Sequence, residues 1–261
     1  MWWFSSRPSA RLTVLIPLHR ALPWLDNISA NIEWIPSDAR IVISDETAED
    51  NALDGLKRRH RRDLRITFRK KIIPSGWRLH ANRLLASART EFVAILAQDD
   101  RITPGFYEKL VAALDATPSA GVAFGPVEAE GLEGQPSTRF PGPPFPTATR
   151  PPWREAIELD RRWNLGIPYR GVVRRDVVQP IPSTPGDRFA DQIWVFGLAL
   201  TAHLIEVPDA VYIKRYHADN THSDWTQLTP EERRTALEDQ VRQRFETDLA
   251  TKNAALEVLA T

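Results

Sequence analysis

EFVAILAQDD, residues 91–100, is the stretch that decides the fold of this chain. Its apolar part, residues 92–97, has the length of one buried strand and stops abruptly before two adjacent carboxylates, Asp99 and Asp100. In an open α/β sheet, ligands bind outside the carboxyl ends of the strands. Two neighbouring carboxylates repel each other unless a positive group lies beside them, and a divalent cation that carries a phosphate meets this need. The alternative is a solvated Asp-Asp turn before a helix.

Strand and helix patterns alternate through the first half of the chain. The predicted strands are residues 12–18, 40–44, 64–68, 92–97 and 120–127, and the predicted helices are residues 24–35, 49–62, 76–88 and a segment that begins at Pro104. Strands separated by helices are typical of parallel βαβ units. We therefore predict an α/β fold with a Rossmann-like, doubly wound, mostly parallel sheet and helices on both faces. In the helix at 76–88, Leu79, Leu84 and Leu85 are candidate core residues.

Prolines and glycines interrupt this pattern at residues 131–152, GLEGQPSTRFPGPPFPTATRPP. Because they cannot hold a regular element there, we expect a loop or lid inside one domain that covers the whole chain. The loop would separate a first half, residues 1–130, from a second half, residues 153–228. In the second half the sequence predicts a strand at 171–173 and a helix at 189–203.

Residues 229–261 have the pattern of a C-terminal helix. Leu237, Val241, Phe245 and Leu249 recur every four residues and form one apolar stripe. Such a stripe packs on the parent domain by default, and a homodimer contact is the alternative.

Composition excludes several classes of protein. Basic and acidic residues number 34 each, so net charge gives no reason to expect a nucleic-acid partner. The chain has no cysteine and no apolar run near the ~20 residues that span a bilayer, and its start lacks signal-peptide features. We expect a cytoplasmic protein. Basic clusters at 57–62 and 69–71 are either solvated or a peripheral contact with anionic lipid at the inner face of the membrane.

Polar side chains follow three of the predicted strands. His19 comes after the first strand, Asp45 ends the second, and Asp99 and Asp100 follow the fourth. Because the carboxyl ends of parallel strands meet at one edge of a sheet, we expect these four residues to lie close together.

Three segments with this order and spacing resemble the inverting family 2 glycosyltransferases, which have the GT-A fold. LTVLIPLHR, from Leu12, is similar to the opening strand of that family, and IVISDETAEDN, from Ile41, is similar to its Val-Asp-Asp-Gly-Ser segment. SGWRLHANRLLASARTEFVAILAQDDRITPGFYEKL, from Ser75, resembles the long block that ends in the DXD motif. The resemblance implies a nucleotide-sugar-binding first half and an acceptor-binding second half.

The resemblance also implies roles for individual residues. Asp45 would read the nucleotide base, Asp99 would lie near the ribose, and Asp100 would ligate Mn²⁺ or Mg²⁺ on the diphosphate. Asp191, in FADQIW, matches the catalytic base, and His217, in YIKRYHADNTH, matches a histidine that approaches the metal. The remaining nucleotide-binding positions that the resemblance implies are Pro17, His19, Arg78 and Asn82.

The chain departs from the family pattern at several of these positions. Ser44 stands for an aspartate, Ala97 for the first carboxylate of the fuller Asp-x-Asp-Asp pattern, and Ala81 for an arginine. We therefore expect Arg78 or Arg83 to supply the phosphate charge.

Ordinary structural roles remain as alternatives for the same side chains. Asp45 could cap the helix that follows it, Asp191 could be an exposed helix carboxylate, and His217 could be a surface histidine. Trp163 and Trp194 are expected to pack in the core or to line an acceptor wall.

The predicted function is metal-dependent, inverting transfer of a sugar from a nucleotide-diphosphate donor, with UDP or dTDP favoured. The expected acceptor is a hydroxyl of a glycan or glycolipid, in polysaccharide or glycoconjugate synthesis. One alternative is a nucleotidyltransferase, against which the first loop, PLHRALPW, argues because it contains no glycine. The other alternative is a non-catalytic nucleotide-sugar-binding protein of the same fold.

Overall fold

A computed structural model describes residues 10–47, 51–70, 74–130, 138–140, 150–163, 165–217 and 226–261. Most of the proline-rich segment at 131–152, which we predicted to be a loop or lid, lies outside these residues. Residues 138–140 within it form a strand, so the expectation that it holds no regular element was wrong. Within the described part of the chain, no helix is both long enough and apolar enough to cross a bilayer.

Eleven strands form two sheets in the described residues. They are β1 Leu12–Leu18, β2 Arg40–Asp45, β3 Ile66–Lys70, β4 Phe92–Ile95, β5 Arg101–Ile102, β6 Ala120–Phe124, β7 Val127–Glu130, β8 Thr138–Phe140, β9 Val172–Arg174, β10 His203–Glu206 and β11 Tyr212–Arg215. The larger sheet has seven strands in the order β10-β6-β9-β4-β1-β2-β3. Its pairings are parallel except at β9, which runs antiparallel to both β4 and β6. The smaller sheet has the order β5-β11-β7-β8.

Eight α-helices accompany the sheets in the described residues. They are α1 Leu25–Trp34, α2 Ala52–Arg59, α3 Trp77–Ser87, α4 Phe106–Ala116, α5 Pro152–Arg162, α6 Ala190–Ala199, α7 Pro230–Arg244 and α8 Leu249–Ala260. Central strands read as continuous apolar runs because parallel strands are covered on both faces. In β1, Val14, Leu15 and Ile16 are fully buried, whereas the edge strand β3 keeps alternate side chains exposed. The predicted α/β fold with a mostly parallel sheet is confirmed.

The strand predicted at 120–127 is two strands, and this prediction was wrong. β6 ends at Phe124 and β7 begins at Val127, so the chain passes from one sheet to the other through Gly125 and Pro126. A Cβ atom on Gly125 would lie 1.4 Å from the carbonyl oxygen of Ala210. Only glycine allows this approach, and Pro126 has no N–H group with which to continue a ladder.

The C-terminal segment is two helices rather than the one helix that we predicted. α7 begins with a capping box, in which the Thr229 hydroxyl and the Glu232 carboxylate each bond to the other residue's backbone N–H group. A second cap starts α8, where the Asp248 carboxylate accepts from the Thr251 N–H group at 3.0 Å. Leu237 and Val241 are buried, but Leu249 is exposed because the stripe is interrupted between the two helices.

One predicted core residue of α3 is also corrected. Leu84 and Leu85 are buried, whereas 41% of Leu79 is exposed. The helical spacing was right, but the buried face begins at His80 and Ala81 instead.

Candidate functional site

The carboxyl ends of β1, β2 and β4 meet at one edge of the larger sheet, as predicted. The His19 N–H group donates to the side-chain oxygen of Gln98 at 2.8 Å, and the Gln98 amide donates back to the His19 carbonyl at 2.7 Å. The Arg20 N–H group donates to the Thr47 hydroxyl at 2.9 Å. Arg20 has a positive φ of 50°, which side chains seldom adopt. The loop after β1 is therefore fixed to the ends of both neighbouring strands.

Asp45 lies at this edge and is fully buried. Its carboxylate accepts a hydrogen bond from the Thr47 N–H group at 2.8 Å. The next helix, α2, begins only at Ala52, with Asn51 as its N-cap residue. Asp45 therefore does not cap that helix, and the alternative of a capping role is wrong. Pro17 pairs with Ser44 in the same region of the sheet.

A cluster that we did not predict lies directly behind Asp45. Glu46 accepts hydrogen bonds from the N–H group and hydroxyl of Ser75, at 2.9 and 2.8 Å, and lies 3.6 Å from Nδ1 of His80. The other ring nitrogen of His80 lies 2.9 Å from the Ser44 hydroxyl. Burial lowers the pKa of His80, although the nearby Glu46 acts in the opposite direction. The cluster anchors the turn before α3 to the end of β2.

Asp99 and His217 form a contact that we did not predict, because we expected His217 to approach a metal bound by Asp100. Nε2 of His217 lies 2.9 Å from the Asp99 carboxylate, and about a fifth of each side chain is exposed (20% and 19%). The Trp24 ring packs against His217, with the ring centroids 4.7 Å apart. His217 is therefore held beside the carboxylate from two sides rather than lying free on the surface.

Asp100 is buried, and its carboxylate is already engaged. One oxygen accepts from the Tyr212 hydroxyl at 2.9 Å, and the other accepts from the Arg215 N–H group at 3.0 Å. Nε of Arg170 lies 3.9 Å away. Burial raises the pKa of Asp100, and the neighbouring Asp99 adds to this, while Arg170 and Lys214 act against it. These contacts argue against our prediction that Asp100 makes the main metal contact.

The backbone of Asp100 is clamped from α1. The side-chain amides of Asn27 and Asn31 donate to the Asp100 carbonyl at 2.8 and 2.9 Å. The Asn31 side-chain oxygen accepts from the Ile102 N–H group at 3.2 Å. This clamp fixes the turn between β4 and β5, so Asp99 projects from a rigid support.

Two buried cations complete the site, and sequence reasoning missed both. Arg170 lies over the Tyr212 ring, 5.8 Å from its centroid. Burial lowers the pKa of Lys214 to about 8, and Arg170 contributes to the lowering. Asp100, Asp99 and Asp191 act in the opposite direction. The alternation in YIKRYH could have placed Lys214 on the face of Tyr212, but no sequence signal marks Arg170, which reaches the site just before β9.

Asp191 is the second residue of α6, and Arg170 and Lys214 are close enough to its carboxylate to act on it electrostatically. Its Oδ1 atom is buried and has no hydrogen-bond partner among the described residues. Burial raises the pKa of Asp191, and Arg170 is the largest influence in the opposite direction. Asp191 is therefore not an exposed helix carboxylate. An unbonded, desolvated carboxylate oxygen is suited to accepting a proton.

Arg78 and Asn82, both in α3, form hydrogen bonds with residues in the second half of the chain. Nε of Arg78 donates to the Asp187 carboxylate at 2.6 Å. Asn82 donates to the Ile181 carbonyl at 2.9 Å and accepts from the Ile181 N–H group at 2.6 Å. Both α3 residues thus tie the two halves of the domain together, and for Asn82 this favours a structural role over the predicted contact with the nucleotide.

The predicted aromatic residues divide between core and surface. Trp194 is buried, and its ring N–H group donates to the Gln179 carbonyl at 2.7 Å. Trp163 is 37% exposed, and Tyr216, which we did not single out from the sequence, is 41% exposed. Trp194 is therefore a core residue, whereas Trp163 and Tyr216 keep part of their surface in contact with solvent.

The described residues fit a cation that arrives with a phosphate ligand. They contain no cluster of three or more His, Cys, Asp or Glu side chains that could hold a metal ion by themselves. Asp99 and His217 offer one carboxylate and one imidazole. Mg²⁺ is commonly held by one or two carboxylates together with substrate phosphates.

Comparison with known proteins identifies the family and agrees with the fold. The family described as Glycosyl transferase family 2 matches residues 13–172. The fold is similar to that of residues 1–349 of TarS from S. aureus in complex with UDP-GlcNAc, with a TM-score of 0.67, 15% identity, and coverage of 96% of this chain and 71% of that chain. It also resembles the mannosyltransferase PcManGT from Pyrobaculum calidifontis in complex with GDP-Man and Mn²⁺, with a TM-score of 0.57, 18% identity, and coverage of 97% and 74%. No curated protein matches the chain by sequence.

Proposed function

The chain belongs to glycosyl transferase family 2, and on that premise we propose that it transfers a sugar, with inversion, from a nucleotide-diphosphate donor to a hydroxyl acceptor. The observation that carries the proposal is Asp191. Its buried carboxylate oxygen has no hydrogen-bond partner among the described residues, and Arg170 and Lys214 are close enough to act on it electrostatically. A proton acceptor next to buried cations is the arrangement that hydroxyl attack on a phosphate-linked sugar requires.

Each side chain of the site has a part in this reaction. Asp191 takes the proton of the acceptor hydroxyl. The hydroxyl oxygen attacks the anomeric carbon in line with the departing diphosphate. Arg170 and Lys214 offset the charge that develops on the diphosphate. Mn²⁺ or Mg²⁺, held by Asp99 and His217, would add further positive charge to the leaving group. Asp100 holds Arg170 and Tyr212 in place.

The donor that we propose is a UDP- or dTDP-sugar. Asp45 is buried at the edge of the sheet, where a carboxylate can accept the ring N–H group of uracil or thymine. TarS has been solved with UDP-GlcNAc, whereas PcManGT has been solved with GDP-Man. Our preference for the pyrimidine follows from the family resemblance of Asp45, and the binding experiment below decides between the two classes of donor.

The acceptor that we propose is a glycan or glycolipid, as in polysaccharide or glycoconjugate synthesis. Tyr216 is exposed one residue before His217 and gives a sugar ring an apolar surface at the site. Peripheral contact with anionic lipid at the cytoplasmic face of a membrane is supported by the exposed Arg58, Arg61 and Arg62 at the end of α2. A homodimer would use α8, where Leu249 is exposed.

A binding experiment tests the donor assignment. With Mn²⁺ present, we expect UDP- or dTDP-sugars at a hundred times their Kd to stabilise the protein by ~2.7 kcal/mol in thermal unfolding. Asp45→Ala should weaken nucleotide affinity by roughly 10- to 150-fold, the loss of a hydrogen bond to a charged group. Calorimetry that shows equal UDP affinity in the variant and the wild type would rule out Asp45 as the base reader.

The pH dependence tests the base. Among the described residues, Arg170, Lys214 and Tyr169 are ionisable groups that interact electrostatically with Asp191. Because burial raises the pKa of Asp191 and a general base must be ionised, kcat should fall on acidification at a higher pH than an ordinary aspartate would give. The measurement is kcat against pH with saturating donor. A rate that stays constant down to the ordinary aspartate pKa would contradict the assignment.

A further inference from the structure

The segment before Asp191 has an unusual backbone. Asp187 and Phe189 both have a positive φ of 54°, and Gly186 between Pro185 and Asp187 has a φ of 64°. Non-glycine residues in this region cost of order 1–3 kcal/mol each and persist only where neighbouring contacts enforce them. Phe189 is also the N-cap residue of α6. This strained turn therefore sets the position at which α6, the helix that carries Asp191, begins.

Hydrogen bonds hold the strained turn from inside and from the C-terminal side. The Thr184 hydroxyl donates to the Arg188 carbonyl at 2.6 Å, and the Asp187 N–H group donates to the Thr184 carbonyl at 2.9 Å. Arg188 reaches away from the turn and donates to the Thr226 carbonyl at 2.8 Å. These contacts fix the shape of the turn. They do not join it to residues 1–130, the half of the chain that we expect to bind the nucleotide.

The contact with the nucleotide half is the ion pair between Arg78 and Asp187. Nε of Arg78 lies 2.6 Å from the carboxylate, and the side chains are only 16% and 30% exposed. Arg78 is the second residue of α3, where the helix dipole disfavours a cation. Arg78 is therefore unfavourable for its own helix but forms an ion pair with a residue 109 positions away in sequence.

We propose that Asp187 is a positioning residue, and that its ion pair with Arg78 places Asp191 against the sugar donor bound by the first half of the chain. The inference rests on the proposed function, because it takes Asp191 as the base. Arg78 is held at the N-terminal end of α3, next to the turn that Glu46 anchors. The ion pair therefore links the start of α3 to the turn that precedes α6.

Asp187→Asn tests this inference. Asparagine keeps the shape and accepts a positive φ, so the variant removes the charge without disturbing the turn. We expect kcat to fall by about 10- to 100-fold, the scale of a misplacement near 1 Å, with the KM for the donor within about twofold of wild type. Because the loosened turn would admit water to Asp191, the acid limb of the pH profile should move to lower pH. Unchanged kcat and pH profile would overturn the inference.

A double-mutant cycle with Arg78 separates the ion pair from a local effect. If the two residues act as a unit, Arg78→Gln with Asp187→Asn should lose no more in kcat than the more damaging single variant. Arg78→Lys should have a kcat between those of Arg78→Gln and the wild type, because an ammonium keeps the charge but lacks the planar donor geometry of the guanidinium. Additive losses would show that Asp187 does not act through Arg78.

Two further variants make the outcome unambiguous. Glu158→Gln breaks the exposed Arg150–Glu158 ion pair, whose atoms lie 2.6 Å apart, and should leave kcat within about twofold of wild type. Asp191→Asn separates the inference from the function on which it rests. Wild-type turnover in Asp191→Asn would refute the base itself, whereas an inactive Asp191→Asn with an unaffected Asp187→Asn would refute only the positioning role.

Discussion

Asp191→Asn should reduce kcat by about 10²–10⁴-fold, the range expected for loss of a general base, with donor affinity nearly intact. The amide has the same shape as the carboxylate but cannot take a proton from the acceptor. Burial raises the pKa of Asp191, so the ionised side chain costs folding free energy at neutral pH, and that cost disappears on protonation. The variant should therefore unfold at the same temperature as the wild type or slightly higher.

Transfer kinetics with saturating acceptor, together with donor binding by calorimetry, measure this effect. Asp176→Asn, which changes an exposed carboxylate outside the site, is a suitable control and should keep the wild-type rate. If Asp191→Asn turned over acceptor at the wild-type rate across pH, Asp191 would not be the base, and the proposed mechanism would fail at its central step.

Asp99→Ala and Asp100→Ala should differ sharply although the residues are adjacent. Asp99 is partly exposed and contacts His217, so its loss should remove the stimulation of transfer by Mn²⁺ while the unfolding temperature stays close to that of the wild type. Asp100 is buried with Tyr212 and Arg170, and its loss would remove a carboxylate that lies 3.9 Å from the Arg170 guanidinium. Breaking such a pair costs about 3–5 kcal/mol of folding free energy.

Thermal unfolding and UDP affinity with and without Mn²⁺ distinguish the two variants. We expect Mn²⁺ to strengthen UDP binding in the wild type and to leave it unchanged in Asp99→Ala. The reverse result, a stable Asp100→Ala protein that has lost the metal effect beside an Asp99→Ala protein that keeps it, would restore Asp100 as the metal ligand.

Local patterns in the sequence predicted the parts of the fold that depend on burial and helix spacing. The apolar runs of β1, β2 and β4 and the carboxylates after them identified the edge where the site lies. The division of the strand at Gly125, where the backbone packs against the Ala210 carbonyl, was not predictable. A close approach between distant segments leaves no periodic signal in the sequence. The break between α7 and α8 was missed for a related reason, since the Asp248 cap interrupts a stripe whose spacing continues through it.

The candidate site was predictable where the chemistry is carried by motifs. His19, Asp45, Asp99 and Asp100 follow strands that end at the same edge of the sheet, whereas the roles of Asp191 and His217 stay predictions. Arg170 was missed because its role depends on burial beside Asp100, 70 residues earlier in the chain, which no local pattern encodes. The distinction between Asp99 and Asp100 likewise depends on which carboxylate accepts from the Tyr212 hydroxyl, a contact between residues 112 positions apart in sequence.

The antiparallel strand β9 has a consequence for how the chain folds. β4 and β6 are both synthesised before it, and each keeps an edge of unpaired N–H and C=O groups until residues 172–174 are inserted between them. Gly171 permits that insertion, because a Cβ atom there would lie 2.2 Å from the Ala123 carbonyl oxygen. Open edges recruit strands from other molecules. A nascent or truncated chain that ends before Val172 leaves open one edge of β4 and, because β10 is also still missing, both edges of β6. We therefore expect such a chain to aggregate more readily than the full chain.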